Sequence, residues 1–284
     1  MNIVCDKNMP YAAEAFGTLG TVHIVDGRGI TADHVRNADV LAVRSTTRVN
    51  AALLNGSAVR FVGTATIGTD HMDIPWLERQ GIHWCFAPGC NANSVSEYFT
   101  TALLCLSQRH GFTLDGKTVG VIGVGNVGSR VVAKAQALGM RVLPNDPPRE
   151  RAEGPRANGL PPFASLDQIL AESDIITLHV PLNTEGRDAT RHLAKARFFE
   201  AMKPGALFIN AARGPVMDTP ALQAALKSGR VAHAVLDTWE GEPDFSETLL
   251  ASVDIGTPHI AGHSFEGKVM GTVMVYRDAC RFLG

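Results

Sequence analysis

Residues 118–128 read Thr-Val-Gly-Val-Ile-Gly-Val-Gly-Asn-Val-Gly, an apolar run that ends in the spacing Gly123-x-Gly125-x-x-Gly128. Few folds accommodate that pattern. A buried strand must turn sharply into a helix, with Gly123 making the turn, Gly125 letting the backbone approach a bound group, and Gly128 letting the helix pack on its strand. The start of such a helix presents free N–H groups and a partial positive charge, which suits a phosphate. A second apolar run occupies 140–143, and Asp146 lies 18 residues past Gly128. Its carboxylate is placed to accept from both hydroxyls of an adenosine ribose. Gly123, Gly125, Asn126, Val127, Gly128 and Asp146 therefore predict a dinucleotide site. NAD is favoured over NADP, because Asp146 would repel a 2′-phosphate. Arg149 and Arg151, just beyond, are the residue type an NADP site uses, so the preference is not settled by the motif.

The same alternation of short apolar runs and helix-length segments covers the whole chain. Runs at 2–5, 21–25, 39–43, 59–63 and 82–86 predict five parallel strands in a first α/β unit. Runs at 118–122, 140–143, 174–179, 206–210, 232–236 and 254–257 predict six more in a second. Between the two sets, 94–109 carries Val95, Tyr98, Phe99, Ala102, Leu103 and Leu106 at helical spacing, with Ser94 and Glu97 as a capping box. The segment 147–162, with five prolines and two glycines, reads as a loop, and 266–283 reads as a helix returning to the first unit. The expected fold is α/β in two domains: a doubly wound Rossmann NAD-binding domain over 94–263, and a flavodoxin-like substrate domain over 1–93 completed by 264–284.

Composition narrows the class. With 284 residues the chain exceeds the usual single-domain size. A net charge of −2 without basic or acidic blocks gives no reason to expect nucleic acid or an anionic membrane as partner. The short apolar start, Met1 to Cys5, is no signal segment, and a soluble cytoplasmic protein is expected. Five cysteines without a C-x-x-C pair predict reduced thiols, and no metal site is expected.

Ligands of open α/β sheets bind beyond the carboxyl ends of the strands. Three successive strand ends here deliver Arg213, then Glu242, then His259. An arginine fork can hold a carboxylate and the oxygen beside it. A histidine can take a hydroxyl proton near neutral pH, and a glutamate on its far nitrogen would fix the tautomer and raise its pKa. Such a trio suits oxidation of an alcohol beside a carboxylate, with a nicotinamide taking the hydride. His179, at another strand end, is expected to line the cofactor cleft.

At this point the sequence resembles the D-isomer-specific 2-hydroxyacid dehydrogenases, over essentially its whole length. The resemblance rests on the glycine fingerprint, His179-Val180-Pro181-Leu182, Asn210-Ala211-Ala212-Arg213-Gly214, Asp237-Thr238-Trp239-Glu240-Gly241-Glu242-Pro243 and Pro258-His259-Ile260-Ala261-Gly262. It implies that Arg213 binds substrate, His259 is the acid/base and Glu242 its partner, with Val180, Ala211, Ala212, Arg213, Asp237 and Gly262 at the cofactor. Further segments, Asp6 to Ala12, Val43-Arg44-Ser45, Gly63 to His71 and Ala87 to Ala92, are similar to a branch of the family acting on a phosphorylated acid. That likeness implies substrate contacts from Ser45, Thr66 and Arg44, the last at the phosphate. It also implies one from His263, where the branch carries tyrosine. Members of the branch continue into a C-terminal dimerisation domain beyond the match to Gly284. A homodimer is expected without it, built on helix faces such as 94–109. A general dehydrogenase of glycerate, hydroxypyruvate or glyoxylate type is an alternative, and an NADH-sensing binding protein a second.

Overall fold

A computed structural model of the chain describes residues 1–155 and 159–284. They divide into two compact units, 1–92 with 263–284, and 93–262.

The first unit holds β1 (Asn2–Asp6), β2 (Thr21–Val25), β3 (Val40–Val43), β4 (Phe61–Thr64) and β5 (His83–Phe86). All pair in parallel in the order β2-β1-β3-β4-β5, the flavodoxin-like arrangement. Strands buried on both faces read as continuous apolar runs, and β3 and β4 are buried at every position. Leu41, Val43 and Val62 pack on one side with Leu77; Val40, Ala42 and Phe61 pack on the other with Val275 and Ala279 of the Phe265–Leu283 helix. The helix lies close because Gly63 has no side chain: a Cβ there would fall 2.2 Å from Cγ1 of Val275.

The second unit holds β6 (Thr118–Ile122), β7 (Arg141–Asn145), β8 (Ile175–Leu178), β9 (Ala206–Asn210), β10 (Val231–Leu236) and β11 (Ile255–Gly256). They form one parallel sheet in the order β11-β10-β9-β8-β6-β7. The chain leaves β6 for β7 on one side and then crosses back to β8 on the other. The switch point of a doubly wound sheet therefore lies between β6 and β8, beside Gly123 and His179. Val119 and Val121 face one core layer while Ile122 faces the other, with Ile169, Ile176 and Phe208.

Three local expectations are corrected. The segment after Asp146 is not a loop throughout: Pro147–Glu153 is a helix. Its two prolines occupy the first helical positions, where no N–H partner is lost, and Asp146 caps it by accepting from Arg149 N. Residues 156–158 of that segment lie outside the described residues. The connector helix spans Ala92–His110, so Ser94 sits inside it rather than at its cap. The Ser94 hydroxyl instead donates to Ala261 O at 2.7 Å, and Glu97 accepts from Asn93. Finally, the apolar stripe of this helix is internal. Phe99, Leu103 and Leu106 are each 0% exposed in the core of their own unit, so a partner copy would meet the opposite face, where Leu104 is exposed.

Candidate active site

The glycine loop has the geometry each glycine requires. Gly123 has a φ of 86°, and a Cβ there would fall 2.7 Å from the carbonyl of His179. A Cβ on Gly128 would lie 1.9 Å from Gly123 O, so this glycine lets the Asn126–Ala137 helix seat on its strand. A Cβ on Gly125 would meet no protein atom within 4 Å, so nothing in the protein's own packing demands glycine there. No side chain caps the helix that starts at Asn126, which leaves its N-terminal N–H groups to a ligand.

Asp146 completes the loop. Its Oδ2 accepts from Val124 N at 2.8 Å and its Oδ1 from Arg149 N, which holds the carboxylate at the end of β7 with further lone pairs available. Arg149 is committed elsewhere: Nε donates to Glu153 at 2.7 Å and Nη1 to Val124 O at 2.6 Å. Arg151 pairs with Asp188. Both arginines thus have carboxylate partners, while the acid Asp146 stands beside the glycine loop. Across the switch point, His179 Nε2 bonds Thr177 Oγ1 at 2.9 Å while its Nδ1 is buried without a partner, and burial pushes its pKa down to about 3. His179 is a neutral wall residue. Val180 and Ala211, at the ends of β8 and β9, are half-buried, as is Gly262, and Ala212 is buried.

The second cluster grows from the ends of β9, β10 and β11. Asn210, fully buried, accepts from Ala212 N at 3.1 Å and donates to Arg213 O at 3.0 Å, which shapes the turn carrying Arg213. Beyond β10, Glu242 Oε2 accepts from Trp239 N at 3.2 Å and Glu242 Oε1 lies 2.7 Å from His259 Nδ1. The hydrogen bond to Glu242 holds the His259 pKa above the usual 6.5; burial opposes it, the charges of Glu242 and Asp237 reinforce it, and Arg213 works against it. Burial pushes the Glu242 carboxyl up, but the hydrogen bond and charge of His259, Trp239 N–H and the charge of Arg213 outweigh it and leave it below 4.5. Arg213 is therefore close enough to act electrostatically on both partners.

Asp237, expected at the cofactor, shows a different visible task. Its carboxylate is 1% exposed and accepts from Thr257 Oγ1 at 2.6 Å, Ile260 N at 2.7 Å and Ala261 N at 2.8 Å, while Asp237 O accepts from His259 N. It anchors the loop on which His259 adopts a φ of 55°, a conformation that costs energy for a residue with a Cβ. Tyr98 Oη donates to Thr257 Oγ1 at 2.6 Å, and Ser94 holds the far end of the loop through Ala261 O. Sequence reasoning missed Tyr98, Thr257 and Ser94 as supports. The signal was present in Ser94 and Tyr98, two polar groups four residues apart on an otherwise apolar helix stripe.

The expected substrate contacts belong to the first unit. Arg44 is half-buried just past β3, donates to Ala65 O at 3.2 Å, and has its pKa lowered by burial against the opposing charges of Asp6 and Cys90. Ser45 is exposed in the turn that follows. Thr66 closes a relay in which His71 Nε2 meets Thr64 Oγ1 at 3.0 Å, Thr64 Oγ1 meets Thr66 Oγ1 at 2.7 Å, and Thr66 donates to Gly68 O at 2.9 Å. The Thr66 hydroxyl proton is thus used internally, and its oxygen accepts from Thr64. His263 is exposed at the start of the segment that returns to this unit.

Two parallel α/β units, a glycine loop at a switch point and a hydrogen-bonded histidine–glutamate pair beyond adjacent strands define a nicotinamide-dependent dehydrogenase. The chain belongs to the D-isomer specific 2-hydroxyacid dehydrogenase family, and residues 102–261 match that family's NAD binding domain. It is an NAD-dependent oxidoreductase of 2-hydroxy acids. Erythronate-4-phosphate dehydrogenases of Salmonella typhi and Salmonella gallinarum are each 50% identical over 284 residues, which is 100% of this chain and 74% of theirs. Among solved structures, the TT0316 protein of Thermus thermophilus superposes with a TM-score of 0.84 at 26% identity, covering 100% of this chain and 97% of that one. The D-lactate dehydrogenase of Aquifex aeolicus, complexed with NAD and lactic acid, gives a TM-score of 0.77 at 25% identity over 99% and 95% of the two chains. Among the described residues, no helix is long and apolar enough to cross a membrane.

Proposed function

We propose that the enzyme oxidises 4-phospho-D-erythronate to 2-oxo-3-hydroxy-4-phosphobutanoate, a step of pyridoxal 5′-phosphate biosynthesis. The observation that carries this reading is the 50% identity to erythronate-4-phosphate dehydrogenases along the entire chain, the first unit included. Bound NAD would be held by the glycine loop and Asp146 and would supply the acceptor for the C2 hydride. Arg213 binds the substrate carboxylate and the adjacent oxygen. His259 takes the proton of the 2-hydroxyl at Nε2, because Nδ1 is engaged by Glu242. The carboxylate of Glu242 offsets the charge that appears on the ring, and the Asp237 anchor keeps the ring in place for the transfer. His179, neutral and walled in, does not compete for that proton. Ser45, Thr66 and His263 contact the rest of the substrate, and Arg44 the phosphate.

We further infer that the protein acts as a homodimer, since closed two-fold pairs are the commonest assembly of such enzymes. Light scattering at working concentration tests this, and a monomer alone would reject it.

The deciding experiment measures NAD reduction with 4-phosphoerythronate, erythronate and glycerate. The phosphorylated acid should be preferred in kcat/KM. Comparable or better turnover of the unphosphorylated acids would mark a general 2-hydroxyacid dehydrogenase. His259→Ala should lower turnover by roughly 10²–10⁴-fold while leaving NADH binding intact.

A further inference from the structure

At the amino ends of β10 and β11, opposite the strand ends that carry Glu242 and His259, three donor side chains converge. His110 is the last residue of the Ala92–His110 helix, His233 lies early in β10, and Asp254 immediately precedes β11. His110 Nε2 is 2.9 Å from Asp254 Oδ1, and His233 Nδ1 is 3.2 Å from the same oxygen. All three donor atoms lie within 4.8 Å of one another.

The frame around them is built rather than incidental. Asp254 Oδ2 accepts from Ala234 N at 3.1 Å, which fixes the carboxylate, and Arg109 Nη1 donates to the backbone carbonyl of Asp254 at 2.8 Å, which holds its main chain. The pairing of β10 with β9 shifts register between Val231 and His233, an irregularity of the kind that re-aims a side chain. The two imidazole rings lie with centroids 3.8 Å apart, and Phe112 backs His233. Each ring presents one nitrogen to the same carboxylate oxygen.

That donor set has the chemistry and size of a transition-metal site. Tetrahedral zinc with bonds of about 2.0–2.1 Å keeps its ligand atoms roughly 3.3–3.4 Å apart. Both nitrogen–oxygen distances are within about half an ångström of that edge. Nitrogen donors favour zinc, cobalt, nickel or copper over magnesium and calcium. The negative end of a 19-residue helix at His110 favours a cation further. We propose that His110, His233 and Asp254 bind one divalent transition-metal ion, of zinc type, that ties the end of this helix to β10 and β11. The site is separate from the redox trio and serves to fasten the unit, not to carry out the hydride transfer.

The test uses the full chain, without a histidine tag and stripped with EDTA. Zinc chloride is titrated in competition with a chromogenic chelator, and cobalt(II) is added in parallel for its visible absorption. One equivalent should bind and raise the melting temperature. His110→Ala, at an exposed helix end where no core is opened, and His233→Gln should each weaken zinc binding by about tenfold or more. NAD-dependent turnover of the metal-free His110 variant should match that of the unmodified enzyme. The proposal fails if the unmodified protein takes up no zinc in the competition, or if both variants bind zinc as tightly as it does.

Discussion

Glu242 holds His259 through Oε1, 2.7 Å from Nδ1, while its other oxygen is fixed by the N–H of Trp239, so the acceptor cannot swing away from the ring. The electrostatic consequence is directional. The folded-state pKa of His259 lies above its ordinary 6.5, so the stability the pair contributes is full below 6.5 and is lost as pH rises through the raised value. That of Glu242 lies below its ordinary 4.5, so the contribution is lost as pH falls through the lowered value. Between 4.5 and 6.5 the pair is fully formed.

Oxidation needs His259 neutral, so kcat/KM should rise with pH through that raised pKa. In Glu242→Gln the imidazole loses the charge that favours its protonated form, and the acid limb of the profile should move to lower pH. A pH–rate series on both proteins checks this. An unmoved limb would dissolve the pairing.

Asp237 supports the same histidine from beneath. Asp237→Asn replaces a buried acceptor of three donors with a group that carries two N–H donors of its own. Hydrogen bonds to a charged acceptor contribute about 1.5–3 kcal/mol each. Loss of even one should lower the melting temperature by roughly 5 °C and reduce turnover as the His259 loop loosens. A variant as stable as the parent would mean that the loop holds its shape without this anchor.

Cofactor choice should follow Asp146. NAD(H) should bind well and NADP(H) poorly, and Asp146→Ala should narrow the gap from both sides. Arg149 and Arg151 already pair with Glu153 and Asp188, so neither stands ready for a 2′-phosphate. Binding titrations with the two reduced cofactors decide it; equal affinities in the unmodified protein would remove Asp146 from this role.

Arg44 should matter for one substrate class and not the other. A charge-assisted arginine–phosphate contact contributes on the order of 1.5–3 kcal/mol. Arg44→Ala should therefore lower kcat/KM for 4-phosphoerythronate by roughly tenfold or more and leave erythronate or glycerate nearly unaffected. Equal slowing of both would make Arg44 a structural residue, bonded to Ala65 O beside Asp6.

What the amino-acid sequence determined by itself is whatever depends on near neighbours. Continuous apolar runs mark strands buried on both faces, and Gly123 and Gly128 specify a strand–turn–helix because two side chains must be absent within six residues for the turn to form and the helix to seat. Arg213, Glu242 and His259 were legible for the same reason: each follows its strand directly, and parallel strands deliver their ends to one rim. Local reading failed where two local signals conflicted, as at Pro147 and Pro148, which break a helix interior but begin one when Asp146 caps it. It also failed where a side chain's task is set by a distant partner. The support Asp237 gives to Thr257, Ile260 and Ala261 had no signal along the chain, and Ser94 looked like a cap until its hydroxyl met Ala261, 167 residues away. His110 and Asp254 are 144 residues apart and share no motif. Only the packing of the helix end against β10 and β11 brings them together, because contacts of that range follow from how the sheet buries its two faces and not from any spacing along the chain.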